Sequence, residues 1–363
     1  MHICFEIASS ASRYKVMIAP GAMDEALAAP GERVVIADAF LGERLEAAGI
    51  DPIVIHADER AKSLDQMAGL IGAMRDRGTT RGSKVIAIGG GVVQDAASFA
   101  ASVYMRGIEW AYIPTTLLAM ADSCIGGKSS INVGRYKNIV GTIHPPTEVI
   151  IDPDLAGTLS PEQVAAGLCE AAKIALCRGA EALERYFAIA PTAQASTATL
   201  TEVIALSLQA KKWFIEIDEF DRGERLLLNF GHTFGHAIEA ESRFAISHGI
   251  GVGLGMLAAF HFGEALGRDY RGTPDINQFR RHIRELSKSS HDLSAVLGCL
   301  SLAGLLDAFR SDKKHSADAF ALIVPTEQAG VERLMLAKNR TTTSAIERAF
   351  EAMLDEIAVG AAA

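Results

Sequence analysis

Between residues 225 and 248 the chain reads RLLLNFGHTFGHAIEAESRFAISH, and three imidazoles fall within it. His232 and His236 are four apart in a segment with helical apolar spacing, so they share one face about a turn apart. His248 follows in a turn-like Ser-His-Gly. With Arg225 and Asn229 just upstream, these side chains suit a divalent metal together with an anionic substrate. A histidine pair on a helix is also a common partly exposed polar face, and the segment alone leaves both readings open.

Two further segments carry polar chemistry. KVIAIGGG (84–91) is a β-rich run ending in Gly89-Gly90-Gly91, and a helical pattern follows. Glycines let a backbone approach an anion, and the next helix offers free N–H groups and a positive dipole end. This is a phosphate cradle or a plain tight turn; it is not the GxGxxG fingerprint. Asp38 closes an earlier β-rich run, where a carboxylate can accept ribose hydroxyls or cap a helix. MADSCIGGKSSINVGRYKNIVGTIHPP (120–146) holds Asp122, Lys128, Asn132, Lys137 and Asn138 in a glycine-rich, loop-like context. A loop of that length inside a compact domain is usually functional, and its lysines and asparagines suit a polyhydroxylated anion.

The elements that position these groups change character along the chain. RVVIAD (33–38), DPIVIHAD (51–58), KVIAIGGG, WAYIPTT (110–116) and EVIID (148–152) read as strands. SLDQMAGLIGAMRDRG (63–78) and VQDAASFAASVYMRG (93–107) between them read as helices. This alternation predicts an α/β domain, Rossmann-like, with a mainly parallel sheet, over residues 1–155. From 156 to 363 helical spacing dominates, with ALIVP (321–325) the clearest exception, and an all-α domain is expected. The boundary falls in the Pro- and Gly-bearing DPDLAGTLSP (152–161). At 363 residues two domains are the default. The net charge of −9 argues against a general nucleic-acid or anionic-membrane binder. Five scattered cysteines without a CxxC pair, and no signal-peptide pattern in MHICFEIASS, point to a cytoplasmic protein. The apolar stretch 249–263 is too short to span a bilayer.

Several segments together resemble the 3-dehydroquinate synthases and related sugar phosphate cyclases. They are DERAKSL (58–64), GGGVVQD (89–95), YMRG (104–107), IPTTLLAMADSCIGGKSSIN (113–132), KNIVG (137–141), VAAGLCEAAK (164–173), AKKWFIEIDEFDRGERLLLNFGHTFGHAIE (210–239) and DKK (312–314). The resemblance implies zinc, or cobalt in its place, on Glu170, His232 and His248, with His236 as a substrate-side acid or base rather than a ligand. It implies NAD contacts at Asp38, Glu59, Lys62, Gly90, Gly91, Asp95, Thr115 and Thr116, with Asp122, Lys128, Lys137 and Thr158 near the cofactor. It implies a substrate grip by Arg106, Lys128, Asn138, Lys173, Lys211, Arg225, Asn229 and Lys314. Relatives are commonly homodimers.

Such enzymes oxidise one alcohol of a seven-carbon sugar acid phosphate, 3-deoxy-arabino-heptulosonate 7-phosphate, with NAD. They eliminate phosphate, return the hydride and close the carbocycle by an intramolecular aldol step. A doubly anionic substrate explains a cluster of cations in an acidic chain. Three positions depart from the family pattern: Gln94 before Asp95, Ser129-Ser130 after Lys128, and Ile250 where an acid usually follows His-Gly. They leave open a cyclase of secondary metabolism acting on sedoheptulose 7-phosphate or an amino analogue. A metal-dependent polyol dehydrogenase is the remaining alternative, and it would not need Lys128, Lys137, Lys173, Lys211 and Arg225.

Overall fold

The computed structural model describes residues 2–10, 12–134 and 136–361. The chain divides into two compact units, Met1–Leu159 and Ser160–Ala363. The strands of the first unit are β1 (Ile3–Ala8), β2 (Arg13–Ile18), β3 (Arg33–Asp38), β4 (Ile53–Ile55), β5 (Lys84–Gly89), β6 (Trp110–Pro114), β7 (Ile131–Val133), β8 (Tyr136–Val140) and β9 (Glu148–Ile151). Its helices are α1 (Ala22–Ala28), α2 (Gly42–Ala47), α3 (Leu64–Asp76) and α4 (Gly91–Val103). The main sheet runs β1-β2-β9-β6-β5-β3-β4, parallel throughout except for the β1–β2 pair.

Near-continuous apolar runs make the central strands. Val34 to Ala37, Val85 to Gly89 and Trp110 to Pro114 are buried, as a sheet covered on both faces requires. Parallel neighbours put the carboxyl ends of β4, β3, β5 and β6 along one edge. The register sets Ile55 beside Asp38 and Gly89 beside Pro114. That edge is where an open parallel sheet leaves a crevice for ligands.

In the first unit the structure departs from the sequence-based expectations in three places. The run 51–58 forms only the short edge strand β4, with Val54 exposed. The N-terminal hairpin β1–β2 was not expected; its alternating exposure marks a sheet edge. The segment 120–146 is more ordered than a loop. A π-helical turn covers Ala119–Ser123, β7 and β8 pair, and bridges join Ser63 to Asn132 and Lys128 to Ile143.

The second unit contains α5 (Pro161–Arg178), α6 (Ala180–Ile189), α7 (Thr197–Ile217), α8 (His232–Glu241), α9 (His248–Ala265), α10 (Pro274–Ser287), α11 (Leu293–Gly298), α12 (Leu302–Arg310) and α13 (Arg340–Ala361). It is helical but not purely so: β10 (Ala319–Pro325) and β11 (Val331–Ala337) form an antiparallel hairpin around ALIVP. Ser160 starts α5 with a reciprocal capping box to Gln163, and Pro161 takes the first turn. α9 is apolar over its middle turns, from Gly249 to Phe260, because α5, α8, α10, α13 and β10 pack around it. No helix of the described residues is long and apolar enough to cross a membrane.

Glycines let α8 and α9 touch. A Cβ on Gly255 would lie 2.0 Å from the Gly231 carbonyl oxygen, and one on Gly235 would lie 2.7 Å from that of Gly251. Gly231 caps α8 at a φ of 76°, a left-handed conformation closed to most side chains, and a Cβ there would meet Met256 Cγ at 2.5 Å.

A polar network ties α9, α10 and α13. His261 Nδ1 lies 2.9 Å from Glu264 Oε2, and its Nε2 lies 2.8 Å from Glu356 Oε2. Arg280 donates to both carboxylates and Arg284 to Glu356. The His261 hydrogen bond, helped by Arg280 against partial burial, holds Glu264 down at about 2. Burial opposes a charged His261, but Glu264 and Glu356 outweigh it and raise its pKa. Burial likewise opposes a charged Glu356, but His261 and Arg280 outweigh it and lower its pKa. The depressed carboxylates stabilise the fold above their unfolded values, an effect lost as pH falls through the folded ones. The raised His261 stabilises below about 6.5, an effect lost as pH rises through its folded value. Glu356→Gln should therefore cost about 2 kcal/mol between about pH 5 and 6, and less on either side. Urea unfolding across pH checks this, and a deficit independent of pH would contradict it.

Candidate functional site

Glu170 on α5, His232 opening α8 and His248 opening α9 converge in the second unit. Glu170 Oε1 is 3.7 Å from His232 Nε2 and 3.4 Å from His248 Nε2. Ligands at about 2.0–2.1 Å from a tetrahedral ion sit about 3.3–3.4 Å apart, so this spacing fits three donors of one divalent ion. Two imidazoles and a carboxylate also match the donor set of catalytic zinc, which keeps a further position open. His232 and His248 ring centroids are 5.4 Å apart.

The surroundings prepare each donor. Burial opposes the charge on Glu170, but Lys173 and His248 outweigh it and hold the carboxyl well below its usual range. Burial and the Lys173 charge push His232 well below 6.5, so it presents a neutral imidazole at pH 7. Its Nδ1 faces the Phe230 carbonyl at 3.2 Å, which leaves Nε2 for the ion. His248 Nδ1 lies 2.9 Å from Glu239 Oε1. Burial disfavours its charge, but Glu239 and Glu170, one at each ring nitrogen, push it up to about 10, so an ion at Nε2 would take the place of the proton there.

His236 lies on the same face of α8, its ring centroid 5.5 Å from that of His232. Its Nδ1 is 3.4 Å from Asp312 Oδ2, and Asp312 is in turn held by Lys314 Nζ at 2.8 Å. Burial lowers the His236 pKa and the Asp312 contact only partly opposes this, so the ring is a neutral proton acceptor at pH 7. Arg225 is buried, with Nη1 donating to the Glu219 carbonyl at 2.6 Å. Asp218 accepts the Arg222, Gly223 and Arg225 backbone N–H groups and fixes this turn. Asn229 donates to the Leu226 carbonyl, and Lys211 is buried on α7.

In the first unit, Lys62 gathers a second group. Its Nζ lies 3.0 Å from Asp95 Oδ2, 3.0 Å from Asn138 Oδ1 and 3.3 Å from Glu59 Oε1. Lys137 Nζ is 3.5 Å from the same Glu59 oxygen, and Asp95 Oδ1 accepts Ser130 N–H. Asn138 holds a φ of 53°, with its N–H on Asn132 Oδ1. Gly90 caps α4 and Gly91 begins it; the space where a Gly91 Cβ would point is open to 4 Å. Thr115 N–H bonds the Gly89 carbonyl, and Thr116 Oγ1 caps the next turn through Ala119 N–H. Asp122 lies in that π-helical turn and Lys128 at the bridge to Ile143.

Asp38, Thr158 and Arg106 lie apart from the Lys62 group. Asp38 caps the turn after β3 through Phe40 N–H at 3.1 Å. Thr158 is exposed and donates to the Leu155 carbonyl. Arg106 is exposed, with a φ of 72°. Asn132, singled out in the same loop-like segment, donates to Glu59. Two residues to which the sequence reading gave no role also enter these clusters: Glu239 accepts from His248, and Asp312 faces His236. Glu239 follows His236 by three, a spacing that keeps it on the histidine face of α8.

The chain matches two family models, 3-dehydroquinate synthase N-terminal over residues 52–166 and 3-dehydroquinate synthase C-terminal over residues 167–315. It is 39% identical to a 3-dehydroquinate synthase of Caulobacter vibrioides, over 70% of this chain and 74% of that one. It is 35% identical to one of Alkaliphilus metalliredigens, over 81% of each. A solved 2-epi-5-epi-valiolone synthase from Streptomyces hygroscopicus, with NAD+ and Zn2+ bound, superposes with TM-score 0.78 at 26% identity. That match covers 97% of this chain and 98% of the other.

Lys62 is the central cation of the first-unit group. Lys62→Met would leave Asp95 without its charge partner in a mostly buried place, at a cost of about 3 kcal/mol or more. Hydrogen exchange of the β5 and α4 amides should quicken accordingly; unchanged protection would show that the network adds no stability.

Proposed function

This chain belongs to the 3-dehydroquinate synthase family, and on that premise we propose that it converts 3-deoxy-arabino-heptulosonate 7-phosphate to 3-dehydroquinate and phosphate. The reaction is a carbon–oxygen lysis with ring closure and no net change of redox state. The observation that carries this reading is the second unit itself: an acidic chain buries Lys173, Lys211 and Arg225 in the unit that also gathers Glu170, His232 and His248. Buried cations suit a substrate that carries both a carboxylate and a phosphate.

We assign zinc or cobalt to Glu170, His232 and His248, and NAD to the carboxyl edge of the parallel sheet. When bound, NAD supplies a hydride acceptor and the divalent ion a Lewis acid for one substrate alcohol. The pyrophosphate is assigned to Gly90 and Gly91, where the open space over Gly91 and the start of α4 favour an anion. Asp38, Glu59, Lys62, Asp95, Thr115, Thr116, Asp122, Lys128, Lys137 and Thr158 complete the cofactor assignment. Lys173, Lys211, Arg225, Asn229 and Lys314, with Arg106, Lys128 and Asn138 of the first unit, are assigned to the substrate's anionic and hydroxyl groups. His236, oriented by Asp312 at Nδ1, takes or returns a proton at Nε2. A homodimer and a cytoplasmic location belong to the same proposal.

Release of phosphate from 3-deoxy-arabino-heptulosonate 7-phosphate, in the presence of NAD and zinc, tests the reading. Gly91→Val should abolish NAD binding in calorimetry while circular dichroism stays unchanged. Arg225→Ala should lower kcat/KM about 100-fold or more yet keep zinc near wild type, because a guanidinium clamps anions and does not ligate metal. His232→Ala should lose metal first and activity with it. Full activity of Arg225→Ala on the carboxylated substrate would replace this reading with a cyclase for an uncarboxylated sugar phosphate.

A further inference from the structure

The start of α9, which His248 opens, is closely packed on two sides. A Cβ on Gly249 would fall 2.2 Å from the Ala166 carbonyl oxygen, so the start of α9 sits against α5 one turn before Glu170. A Cβ on Gly251 would fall 2.9 Å from Glu239 Cγ and 3.3 Å from its Oε1. The Glu239 side chain therefore fills the space that the missing Gly251 side chain leaves. It is 12% exposed, and its Oε1 reaches His248 Nδ1 at 2.9 Å. A carboxylate at Nδ1 settles two things at once. It fixes the tautomer with Nδ1–H, so the Nε2 lone pair is the one offered toward Glu170 and His232, and it fixes the plane of the ring. Ile250, which stands beside this pair in sequence, is fully buried and contributes no polar group.

We propose that Glu239 is the positioning residue of the metal site, acting through His248 to set how tightly the ion is held. This rests on the metal reading above. His236, Glu239 and His248 form a second group of possible donors, but toward the ion assigned to Glu170, His232 and His248 the Glu239 Oε1 is turned away: it lies at hydrogen-bond distance from Nδ1, on the side of the ring opposite the nitrogen that faces Glu170. Its charge also compensates part of the positive charge that an ion brings to His248, which raises the basicity of the ligand.

The test is zinc affinity, measured by competition with a chromophoric chelator on wild type, Glu239→Gln, Glu239→Ala and His232→Ala, with the ring nitrogens of zinc-loaded protein observed by 15N-histidine NMR. Glu239→Ala should bind zinc about 10–100-fold more weakly. Its His248 Nδ1–H should also exchange fast enough with solvent to disappear. Glu239→Gln should keep the Nδ1–H signal and lose less affinity, since an amide oxygen still accepts that bond. Affinity of Glu239→Ala within about twofold of wild type, with His232→Ala strongly weakened, would overturn the role of Glu239 and leave the metal reading standing. Wild-type affinity in His232→Ala would overturn both. Circular dichroism of the metal-free proteins shows whether each variant folds. Should Glu239→Ala not fold, Gly251→Ala decides: its Cβ must displace the Glu239 side chain, so weakened zinc binding supports the proposal and unchanged binding overturns it.

Discussion

The close approach of α8 to α9 is the constraint on which the second unit depends. Helices of ordinary composition pack with axes about 8–10 Å apart; here glycines at 231, 235, 251 and 255 allow main chain to meet main chain. Each of these helices begins with a histidine of the cluster. If larger side chains held the helices apart, His232 and His236 would move away from His248 together, because one rigid helix carries both. The polar chemistry is thus set by an apolar contact. Its geometry is shared with a third helix: Gly249 brings the same end of α9 against α5, which carries Glu170 and Lys173.

Electrostatics then divides the work among groups a few ångströms apart. Lys173 pairs with Glu170 Oε2, so Oε1 is left facing the two imidazoles. A carboxylate this deeply buried would otherwise take up a proton and lose its value as a ligand. Asp312 plays the matching part for His236, and Lys314 for Asp312. These chains of alternating charge hold cations within an acidic protein: Lys173 compensates Glu170 and Lys314 compensates Asp312.

Much of this was legible in the sequence. The apolar runs of β3, β5 and β6 and the glycines after β5 could be read because a strand covered on both faces leaves an unbroken pattern. The β1–β2 hairpin could not: ICFEIA and RYKVMI alternate weakly, and an edge position is a property of the assembled sheet. The π-helical turn and the β7–β8 pair were hidden in a glycine-rich stretch that looks like loop, since the bridge to Asn132 comes from Ser63, outside the stretch, and the one between Lys128 and Ile143 joins its two distant ends. Glu170, His232 and His248 were found through a resemblance; spacing alone first suggested a His232–His236 pair. Glu239 and Asp312 escaped because a carboxylate on a helix face, or just after one, is ordinarily a surface group.

Two departures from the family pattern acquire a physical account. Gln94 is buried on α4, with Nε2 donating to the Ser123 carbonyl at 2.7 Å and Oε1 accepting from Ser123 Oγ at 2.6 Å. It pins the π-helical turn that carries Asp122 and leads into Gly126, whose N–H is held by Tyr14 Oη at 3.0 Å. A glycine at 94 could make neither side-chain bond, so here the turn is fixed by side chain as well as backbone. Ile250 is the converse. An acid at that place would have to be solvated or paired, yet the position is fully buried and the Nδ1 of His248 already meets Glu239. An apolar residue there lets α9 pack while α8 supplies the carboxylate. Both changes alter what surrounds the proposed site without replacing any residue assigned to it.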